Sequence, residues 1–398
     1  MKKVMVVAGG KWQVPVIRHL KNIGHYVINT NLYKNSDGFV YADESYVVDV
    51  LDKDENLKIA RQCGIDAVTT DQSDIAVPTV AFIAEQLGLC GIGTESAELF
   101  TNKYEMRKRC EGLGFPTPKF MICKTHHDAE AFIKQYNKAV IKPPDSQGSR
   151  GVRIVTIKDD IRLIFDMAFK ESKSGFVLVE EFIEGYELTV EGYKTTDRHT
   201  TLAISEQYVM PEQPQIASNI WYSVSAFAKH SSLIKQHNSL VERLGLSFGI
   251  THAEYKYHNG IYMLIEIAAR GGGHNISSHI VPCISGVNVY EKLCNDILGR
   301  GNSSTSELQP QCSAVLDFFR FEPGIIKSVR GIEAILEHPN VLDAALNFKA
   351  GSSMPILKDC TTRAGYIIAH EKNDSELDKL LHKLKNMVEV EYEDAAKC

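Results

Sequence analysis

The chain has 398 residues, of which 44% are apolar, and it carries a formal net charge of −6 at neutral pH. A chain of this length and composition can bury a large core, and the length predicts two or three domains of roughly 100 to 200 residues each. The mild negative charge excludes a general nucleic-acid binder, and no stretch approaches the roughly 20 apolar residues that a membrane span needs.

Nine cysteines are scattered along the chain without a CxxC pair. Their odd number and irregular spacing are unlike the disulfide framework of a secreted domain, so we expect reduced thiols and a cytoplasmic protein. The start, MKKVMVVAGG, contains an apolar run that stops at Gly9 and Gly10. It therefore predicts a buried first strand rather than a signal peptide.

Residues 1–95 alternate short apolar runs with helical patterns, which is typical of a parallel α/β unit of the Rossmann type. The predicted strands are 3–8, 26–30, 46–50 and 67–70, and the predicted helices are 13–23, 55–63 and 75–87. Gly9 and Gly10 follow the first strand, but the three spaced glycines and the closing acidic residue of a dinucleotide-binding fingerprint are missing. A tight turn is therefore favoured over an NAD site.

The rest of the chain predicts a mixed α/β and α+β fold. A helix over 103–113 ends at the glycine and prolines of 114–118, and 118–180 is typical of a compact α+β subdomain with helices at 129–136 and 161–170. Residues 186–270 are rich in strand patterns and contain a predicted helix at 231–244. The polar stretch 301–307 predicts a linker, and a βαβ-like pattern follows it. The predicted domains are 1–95, 96–300 and 301–398.

The stretch IKPPDSQGSRGV begins where an apolar run ends at Lys142. A lysine that closes a strand holds a point charge in a fixed place, and the following loop offers Ser146, Gly148 and Gly151 to fold over an anion. The alternative is a β-hairpin with a glycine-containing connection and an exposed lysine. On this segment alone both interpretations stand.

The stretch VLVEEFIEGYEL runs from an apolar strand into Glu180 and Glu181, and then into Phe182 and Ile183. An adenine edge can pair with exposed main-chain groups of such a segment, and Glu187 in the next strand can accept hydrogen bonds from ribose hydroxyls. The alternative is a plain hairpin with solvated glutamates.

Asn259 and Gly260 lie between two apolar strands and predict a hairpin that brings Glu254 opposite or close to Glu266. Two carboxylates on one buried face would repel each other, whereas a hard divalent cation removes that conflict. Mg²⁺ prefers one or two carboxylates together with phosphate oxygens. The hairpin therefore predicts a magnesium site, against the alternative of two glutamates on a solvent face.

Taken in order, these stretches resemble the ATP-grasp superfamily, and the resemblance covers nearly the whole chain. It implies a Rossmann-like lead-in at 1–95, an ATP-grasp domain at 96–300 with a mobile lid subdomain at about 118–180, and a biotin carboxylase-like cap at 301–398. It also implies ATP and Mg²⁺, or Mn²⁺ in its place, as cofactors. The lysine stands before its glycine loop because that loop closes over the nucleotide as a lid.

The resemblance implies a role for each candidate site residue. Two residues would ligate the metal: Glu254 and Glu266. Nucleotide-binding residues would be Lys103 and Lys142 at the α- and β-phosphates, Ser146, Gly148 and Gly151 in the lid, Glu180, Phe182 and Ile183 around the adenine, Glu187 at the ribose, and in addition Glu181 and Leu264. Arg270 would stabilise the transferring phosphoryl group, and Arg270 and His274 are the candidates for contacting the substrate carboxylate. A packed structural histidine is the alternative for His274.

One position departs from the family pattern. Many members continue the second metal glutamate as Glu-x-Asn, whereas this chain has Ala268 there, so a second Mg²⁺ would need another ligand such as Asn275 or water. The stretch EIAARGGGH looks most like the branch that contains L-amino acid ligases. CSAVLDFFRFEPG and TRAGYIIAH, nearer the end, are similar to the cap of biotin carboxylase and amino acid ligases.

The resemblance implies an ATP-dependent ligase that joins a small-molecule carboxylate to an amine through an acyl phosphate, with an amino acid among its substrates. It implies no nucleic-acid or membrane partner, and analogy with biotin carboxylase suggests a homodimer. Two alternatives stay open. One is an ATP-grasp enzyme that activates bicarbonate or formate, and the other is a nucleotide-binding module without turnover, in which Ala268 marks a decayed metal site.

Overall fold

The computed structural model describes residues 1–146, 150–210, 213–301, 309–357 and 362–393. Within this part, the chain forms two compact units. The first unit contains Met1–Pro118, Thr189–Ala203 and His230–Leu308, and the second contains Lys119–Leu188, Ile204–Lys229 and Gln309–Cys398. Most of the predicted linker at 301–307 lies outside the described residues.

The first unit begins with a parallel four-stranded sheet in the order β3-β2-β1-β4. Its elements are β1 (Lys3–Val7), α1 (Val14–Asn22), β2 (Tyr26–Asn31), β3 (Glu44–Val47), α2 (Lys53–Cys63), β4 (Ala67–Thr69), α3 (Val77–Leu87), α4 (Thr94–Leu99) and α5 (Lys103–Gly112). Apolar residues of the strands, such as Met5, Ile28 and Val68, pack with Ile83 of α3 in one core. The predicted parallel α/β lead-in is confirmed, and α4 was not predicted.

The second unit begins with an antiparallel sheet in the order β5-β8-β6-β7. Its elements are β5 (Phe120–Cys123), α6 (His126–Tyr136), β6 (Lys138–Lys142), β7 (Arg153–Thr156), α7 (Ile161–Glu171) and β8 (Val177–Glu181). Helix α6 begins three residues before its predicted start, because the side chains of Thr125 and Asp128 form a capping box. Both helices pack on one face of the sheet around a core of their own.

The middle of the chain supplies further strands and helices. These are β9 (Tyr186–Lys194), β10 (His199–Met210), β11 (Gln213–Tyr222), α8 (Val224–Lys229), α9 (Ser231–Leu244), β12 (Gly249–His258), β13 (Ile261–Ala268), α10 (Val281–Ser285) and α11 (Val289–Ile297). Strand order in the first unit is β13-β12-β9-β10. The predicted helix at 231–244 is confirmed at both ends.

The last part of the chain adds antiparallel strands to the second unit. Its elements are β14 (Ser313–Phe318), β15 (Gly324–Arg330), α12 (Ile332–Leu336), β16 (Val341–Leu346), β17 (Ser353–Met354), β18 (Gly365–Glu371), α13 (Asp374–Lys385) and β19 (Glu389–Tyr392). Strand order is β10-β11-β14-β18-β16, with a smaller sheet β17-β15-β19. The βαβ-like interpretation was wrong about pairing, since strands β14 to β19 pair antiparallel. Alternation of strands and helices along the sequence does not reveal strand direction.

The predicted fold class, α/β with α+β parts, is confirmed by the parallel sheet at the start and the antiparallel sheets that follow. None of the described helices has the length and apolar content of a membrane span. The cysteines with a described environment are free thiols: Cys63, Cys90, Cys110, Cys123, Cys283, Cys294 and Cys312.

Candidate active site

The hairpin of β12 and β13 carries the two candidate metal ligands. Asn259 and Gly260 both have positive φ, 49° and 82°, which is the backbone shape of the tight turn that their sequence predicts. The strand register places Glu254 directly opposite Glu266, with an irregularity in the pairing just after Glu254. The side chain of Glu254 is 43% exposed, so a cation can reach its carboxylate. The predicted juxtaposition of the two glutamates is confirmed.

Lys103 reaches this hairpin from the start of α5. The helix begins there because the Asn102 side chain accepts hydrogen bonds from the backbone N–H groups of Tyr104 and Glu105. The Lys103 Nζ donates to Glu266 Oε1 at 2.7 Å, and the lysine is buried. Burial alone would lower the pKa of Lys103, but the Glu266 carboxylate raises it above its ordinary value. Lys103 is therefore a fixed positive charge beside the carboxylates.

Arg270 lies just beyond the end of β13 and is held by Asp74. The Nε and Nη2 atoms of Arg270 donate to the two carboxylate oxygens of Asp74, each at 2.7 Å. Burial alone would raise the pKa of Asp74, but the guanidinium holds it below its ordinary value. A bidentate pair of this kind fixes both position and direction of the guanidinium. Asp74 was not among the site residues predicted from the sequence.

The glycine-rich turn after Arg270 is anchored by Asp71, a second residue that the sequence analysis missed. Asp71 accepts hydrogen bonds from Gly271 N–H at 2.8 Å, Ser277 Oγ at 2.7 Å and Tyr290 Oη at 2.6 Å. A Cβ atom at Gly271 would lie 2.3 Å from Ser277 Oγ, so only glycine fits this close approach. The turn is therefore held rigidly rather than left flexible.

His274 and Asn275 both have positive φ, and so does Gln72, whose Oε1 accepts the Asn275 N–H at 3.0 Å. Non-glycine residues in this conformation carry backbone strain that surrounding contacts must hold in place. The ring of His274 lies 4.7 Å from the ring of Trp12, between centroids, and is half-buried. His274 is thus placed on the same turn as Arg270 with one aromatic neighbour.

His252 and Glu191 are further residues that the sequence analysis missed. His252 lies two positions before Glu254 on β12, and its Nδ1 is 2.7 Å from Oε1 of Glu191, which is buried. The other ring nitrogen, Nε2, is 3.7 Å from Oε1 of Glu254. Burial alone would lower the pKa of His252, but Glu191 and Glu254 raise it to about 10. Desolvation alone would raise the pKa of Glu254, but His252 holds it below its ordinary value.

In the second unit, Lys142 pairs with Glu180. The Lys142 Nζ lies 2.6 Å from Glu180 Oε2, and both side chains are buried. Glu180 is opposite Val140 in the sheet, two residues from Lys142, so both side chains project from the same face. The alternative of an exposed lysine is wrong, because the sheet register supplies a buried partner.

The segment after Glu180 is less open than predicted. The backbone N–H of Glu181 donates to Lys119 O at 2.9 Å, and that of Phe182 donates to Lys138 O at 3.1 Å. These two main-chain donors are therefore already engaged, and the pairing of an adenine edge stays a prediction for the other main-chain groups of the segment. Phe182 is covered on one face by the Lys138 Nζ, 3.7 Å from the ring centroid.

The remaining candidates have distinct environments. Ile183 is half-buried, Glu187 accepts a hydrogen bond from the Gln207 side chain, and Leu264 is fully buried. In the loop after β6, the Ser146 Oγ donates to Arg150 O at 3.3 Å. Gly151 has a φ of 70°, and a Cβ there would meet Pro143 at 2.9 Å. Gly148 lies outside the described residues.

The first unit thus brings together Lys103, Glu254, Glu266 and Arg270. Sequence signals existed for two of the missed groups. Asp71 and Asp74 follow the carboxyl end of a parallel strand, where ligand sites of α/β sheets form. His252 shares a strand face with Glu254 because the two are two positions apart on the same strand. No local signal pointed to Glu191, which is about sixty residues away in sequence.

The donor set fits a hard divalent cation. Two carboxylates directly opposite each other on a hairpin supply the oxygen ligands that Mg²⁺ prefers, and Lys103 donates a hydrogen bond to one of them, Glu266. Lys103 and Arg270 place positive charge at the same site, which is what a polyphosphate anion requires. Geometry and charge therefore suit a metal–nucleotide complex.

Comparison with known families agrees with this geometry. The model of the ATP-grasp domain matches residues 135–278, and the chain therefore contains an ATP-grasp domain. More particularly, the model of the L-amino acid ligase C-terminal domain 2 matches residues 317–393. The predicted resemblance to the ATP-grasp superfamily, in its amino acid ligase branch, is confirmed.

Individual proteins show the same relationship. The formate-dependent phosphoribosylglycinamide formyltransferase of Corynebacterium glutamicum is 26% identical over 206 residues, half of each chain. The alanine–anticapsin ligase of Bacillus subtilis is 26% identical over 301 residues, 68% of this chain and 61% of that protein. The chain spans about half the length of the first curated relatives it matches. The crystal structure of an L-amino acid ligase from Bacillus licheniformis superposes with a TM-score of 0.84 over 99% of both chains at 20% identity, which shows the same fold.

Proposed function

We propose that this protein is an ATP-dependent carboxylate–amine ligase. A substrate carboxylate attacks the γ-phosphate of ATP, releasing ADP and forming an acyl phosphate, and an amine then displaces phosphate to form an amide bond. The observation that carries the proposal is the cluster of Lys103, Arg270, Glu254 and Glu266 in the first unit. Phosphoryl transfer needs little covalent help from a protein and depends on placing and neutralising anions, which these residue types do.

Each residue has a proposed task. Glu254 and Glu266 hold Mg²⁺, which neutralises phosphate charge when bound. Lys103 and Lys142 bind the α- and β-phosphates, and Arg270, aimed by Asp74, stabilises the transferring phosphoryl group. The loop with Ser146, Gly148 and Gly151 excludes water, since water would hydrolyse an acyl phosphate. Glu180, Phe182 and Ile183 frame the adenine, Glu187 binds the ribose, and Glu181 and Leu264 belong to the same nucleotide site.

We propose an amino acid as a substrate. The L-amino acid ligase domain at 317–393 and the similarity to alanine–anticapsin ligase support this choice. His274, on the strained turn beside Arg270, is the proposed contact for the substrate carboxylate. The strain supports a binding role over a purely structural histidine, because contacts with Trp12 and Gln72 hold the turn in one shape.

Formate is the second candidate for the activated acid, because the formate-dependent formyltransferases are among the similar proteins. Release of ADP and phosphate from MgATP separates the candidates. Each of the twenty amino acids, alone and in pairs, is compared with formate and with bicarbonate. Release that depends on amino acids supports the ligase, whereas release that depends on formate alone replaces it. Nucleotide binding without release under any condition would identify a binding module.

The domain division at 95 and 300 and the homodimer are also part of this proposal. The parallel sheet before α4, the ATP-grasp match at 135–278 and the separate match at 317–393 support the division. Light scattering after size-exclusion chromatography tests the dimer, since a single chain has a mass of 44.4 kDa.

A further inference from the structure

Position 268 carries an alanine instead of the asparagine of the Glu-x-Asn pattern, and the residue opposite it on the neighbouring strand is a histidine. Ala268 is buried, and its direct cross-strand partner is His252. Two positions further along the same pair of strands, and on the same face, Glu266 faces Glu254. Side chains at 268 and 252 therefore lie side by side next to the two glutamates. At this pair the chain has a small side chain at 268 and an imidazole at 252.

The imidazole of His252 is fixed by a buried carboxylate. Strand β9 lies next to β12 in the sheet, and Glu191 of β9 is 2.7 Å from Nδ1 of His252. Both residues are at least nine-tenths buried, so this contact is shielded from water and holds the ring in one orientation. Nε2 then points towards Glu254 Oε1 at 3.7 Å. This separation is too long for a strong hydrogen bond but lies within ion-pair range.

We propose that the Glu191–His252 pair is the device that orients Glu254 for metal binding, in a site that lacks the asparagine of the Glu-x-Asn pattern. The inference rests on the proposed function, because it assumes that Glu254 and Glu266 ligate the cation. His252 acts as a positioning residue through Glu254 and does not itself touch the substrate. Outer groups that hold a metal-binding carboxylate typically change metal affinity by roughly 10- to 100-fold when removed.

The first experiment measures the affinity of Mn²⁺ for the full chain by electron paramagnetic resonance of free Mn²⁺, with and without ADP. His252→Ala should raise the dissociation constant roughly 10- to 100-fold, and Glu191→Gln should raise it less, because the imidazole remains but loses its charged anchor. His258→Ala is the matched control, since this exposed histidine lies on the same strand. Its affinity should equal that of the wild type.

The second experiment tests whether an asparagine at position 268 can compensate for the loss of His252 in metal binding. In the His252→Ala background, Ala268→Asn should restore Mn²⁺ affinity to within about threefold of the wild type, because an amide next to the two glutamates can again support the cation. In the wild-type background the same substitution should not improve binding, because the imidazole already orients Glu254. An asparagine that improved binding equally in both backgrounds would act as an added metal ligand, which would contradict the orienting role of His252.

The outcomes distinguish a failure of the proposed metal site from a failure of the orienting role of His252. If wild-type protein binds no Mn²⁺ with or without ADP, the proposed function loses its metal site. If the wild type binds and His252→Ala binds equally well, the orienting role is wrong and the metal site stands. Thermal melting accompanies each measurement, and if His252→Ala does not fold, unchanged affinity in Glu191→Gln overturns the proposal.

Discussion

The side chain of Glu266 has two neighbours that matter for the candidate site. Its carboxylate is bonded to Lys103 and faces Glu254 across the hairpin. Glu266→Gln keeps the size and a hydrogen-bond acceptor for Lys103 but removes the charge that a cation requires. We expect ADP formation to fall at least about 100-fold while the fold is retained.

A coupled assay for ADP and a thermal melt check this expectation. Glu95→Gln is the control, because Glu95 is an exposed glutamate that pairs with Arg109 at the surface. It should leave both measurements unchanged. Normal turnover by Glu266→Gln would contradict the metal assignment.

His199 couples stability to pH. Burial lowers its pKa to about 4, and the ring is bonded to Asn238 Oδ1 at 2.7 Å and Thr251 Oγ1 at 2.8 Å. A histidine with a depressed pKa binds fewer protons folded than unfolded, so its contribution to stability is complete above about pH 6.5 and is lost as the pH falls towards 4. From about pH 7.5 to about pH 5 this residue should cost about 2 kcal/mol.

Urea unfolding of the wild type and of His199→Gln at both pH values isolates this effect. The difference in unfolding free energy between the two proteins should shrink by about 2 kcal/mol at the lower pH. A difference that does not change with pH would show that His199 carries no such coupling. The comparison of two proteins cancels the titration of groups that both share.

At the scale of elements, the turn between β13 and α10 joins the sheet to the parallel lead-in of the first unit. Asp71 binds the turn at Gly271, and Asp74 binds Arg270 just before it. The position of Arg270 in the candidate site therefore depends on the two aspartates that follow β4. Changes at its close contacts should affect catalysis without removing a charged group.

Gly271→Ala tests this coupling. A Cβ at 271 would meet Ser277 Oγ at 2.3 Å and Asp71 Oδ1 at 2.7 Å, whereas at Gly273 nothing lies within 4 Å. We expect Gly271→Ala to lower the unfolding free energy by about 1 to 3 kcal/mol and to reduce ADP formation. Gly273→Ala, on the same turn, should change stability by less than about 0.5 kcal/mol. Equal effects of the two substitutions in urea unfolding would contradict the packing argument.

At the scale of the whole molecule, nucleotide binding should stabilise the fold. A ligand that binds only the folded state at about 100 times its Kd raises the unfolding free energy by about 2.7 kcal/mol. Mg²⁺ with a non-hydrolysable ATP analogue should therefore raise the melting temperature, measured by differential scanning fluorimetry. Lys142→Ala should reduce the rise, because it removes the buried positive charge at the end of β6.

The matched control for that measurement is Lys158→Ala, since Lys158 is an exposed lysine in the same unit. It should give the full rise of the wild type. If the wild type itself shows no rise with any Mg²⁺–nucleotide combination, the ATP site is wrong.

Local sequence patterns predicted much of the fold and part of the candidate site. Apolar periodicity predicted the parallel lead-in and helix α9, and Asn259-Gly260 predicted the hairpin that sets Glu254 against Glu266. These features follow from neighbouring residues, because backbone turns and alternating faces are short-range properties. The amino acid ligase branch likewise followed from ordered motifs, and the family match at 317–393 agrees with it.

The sequence alone therefore predicted which residues would take part in the chemistry, namely the lysines at 103 and 142, the paired glutamates and the arginine at 270. Their partners follow from the packing of the folded chain. Asp74 meets Arg270 across 196 positions, Glu191 meets His252 across 61, and Glu180 meets Lys142 through the sheet register. Such contacts depend on how strands and loops pack in three dimensions, and no local periodicity records which distant carboxylate will neutralise a buried cation.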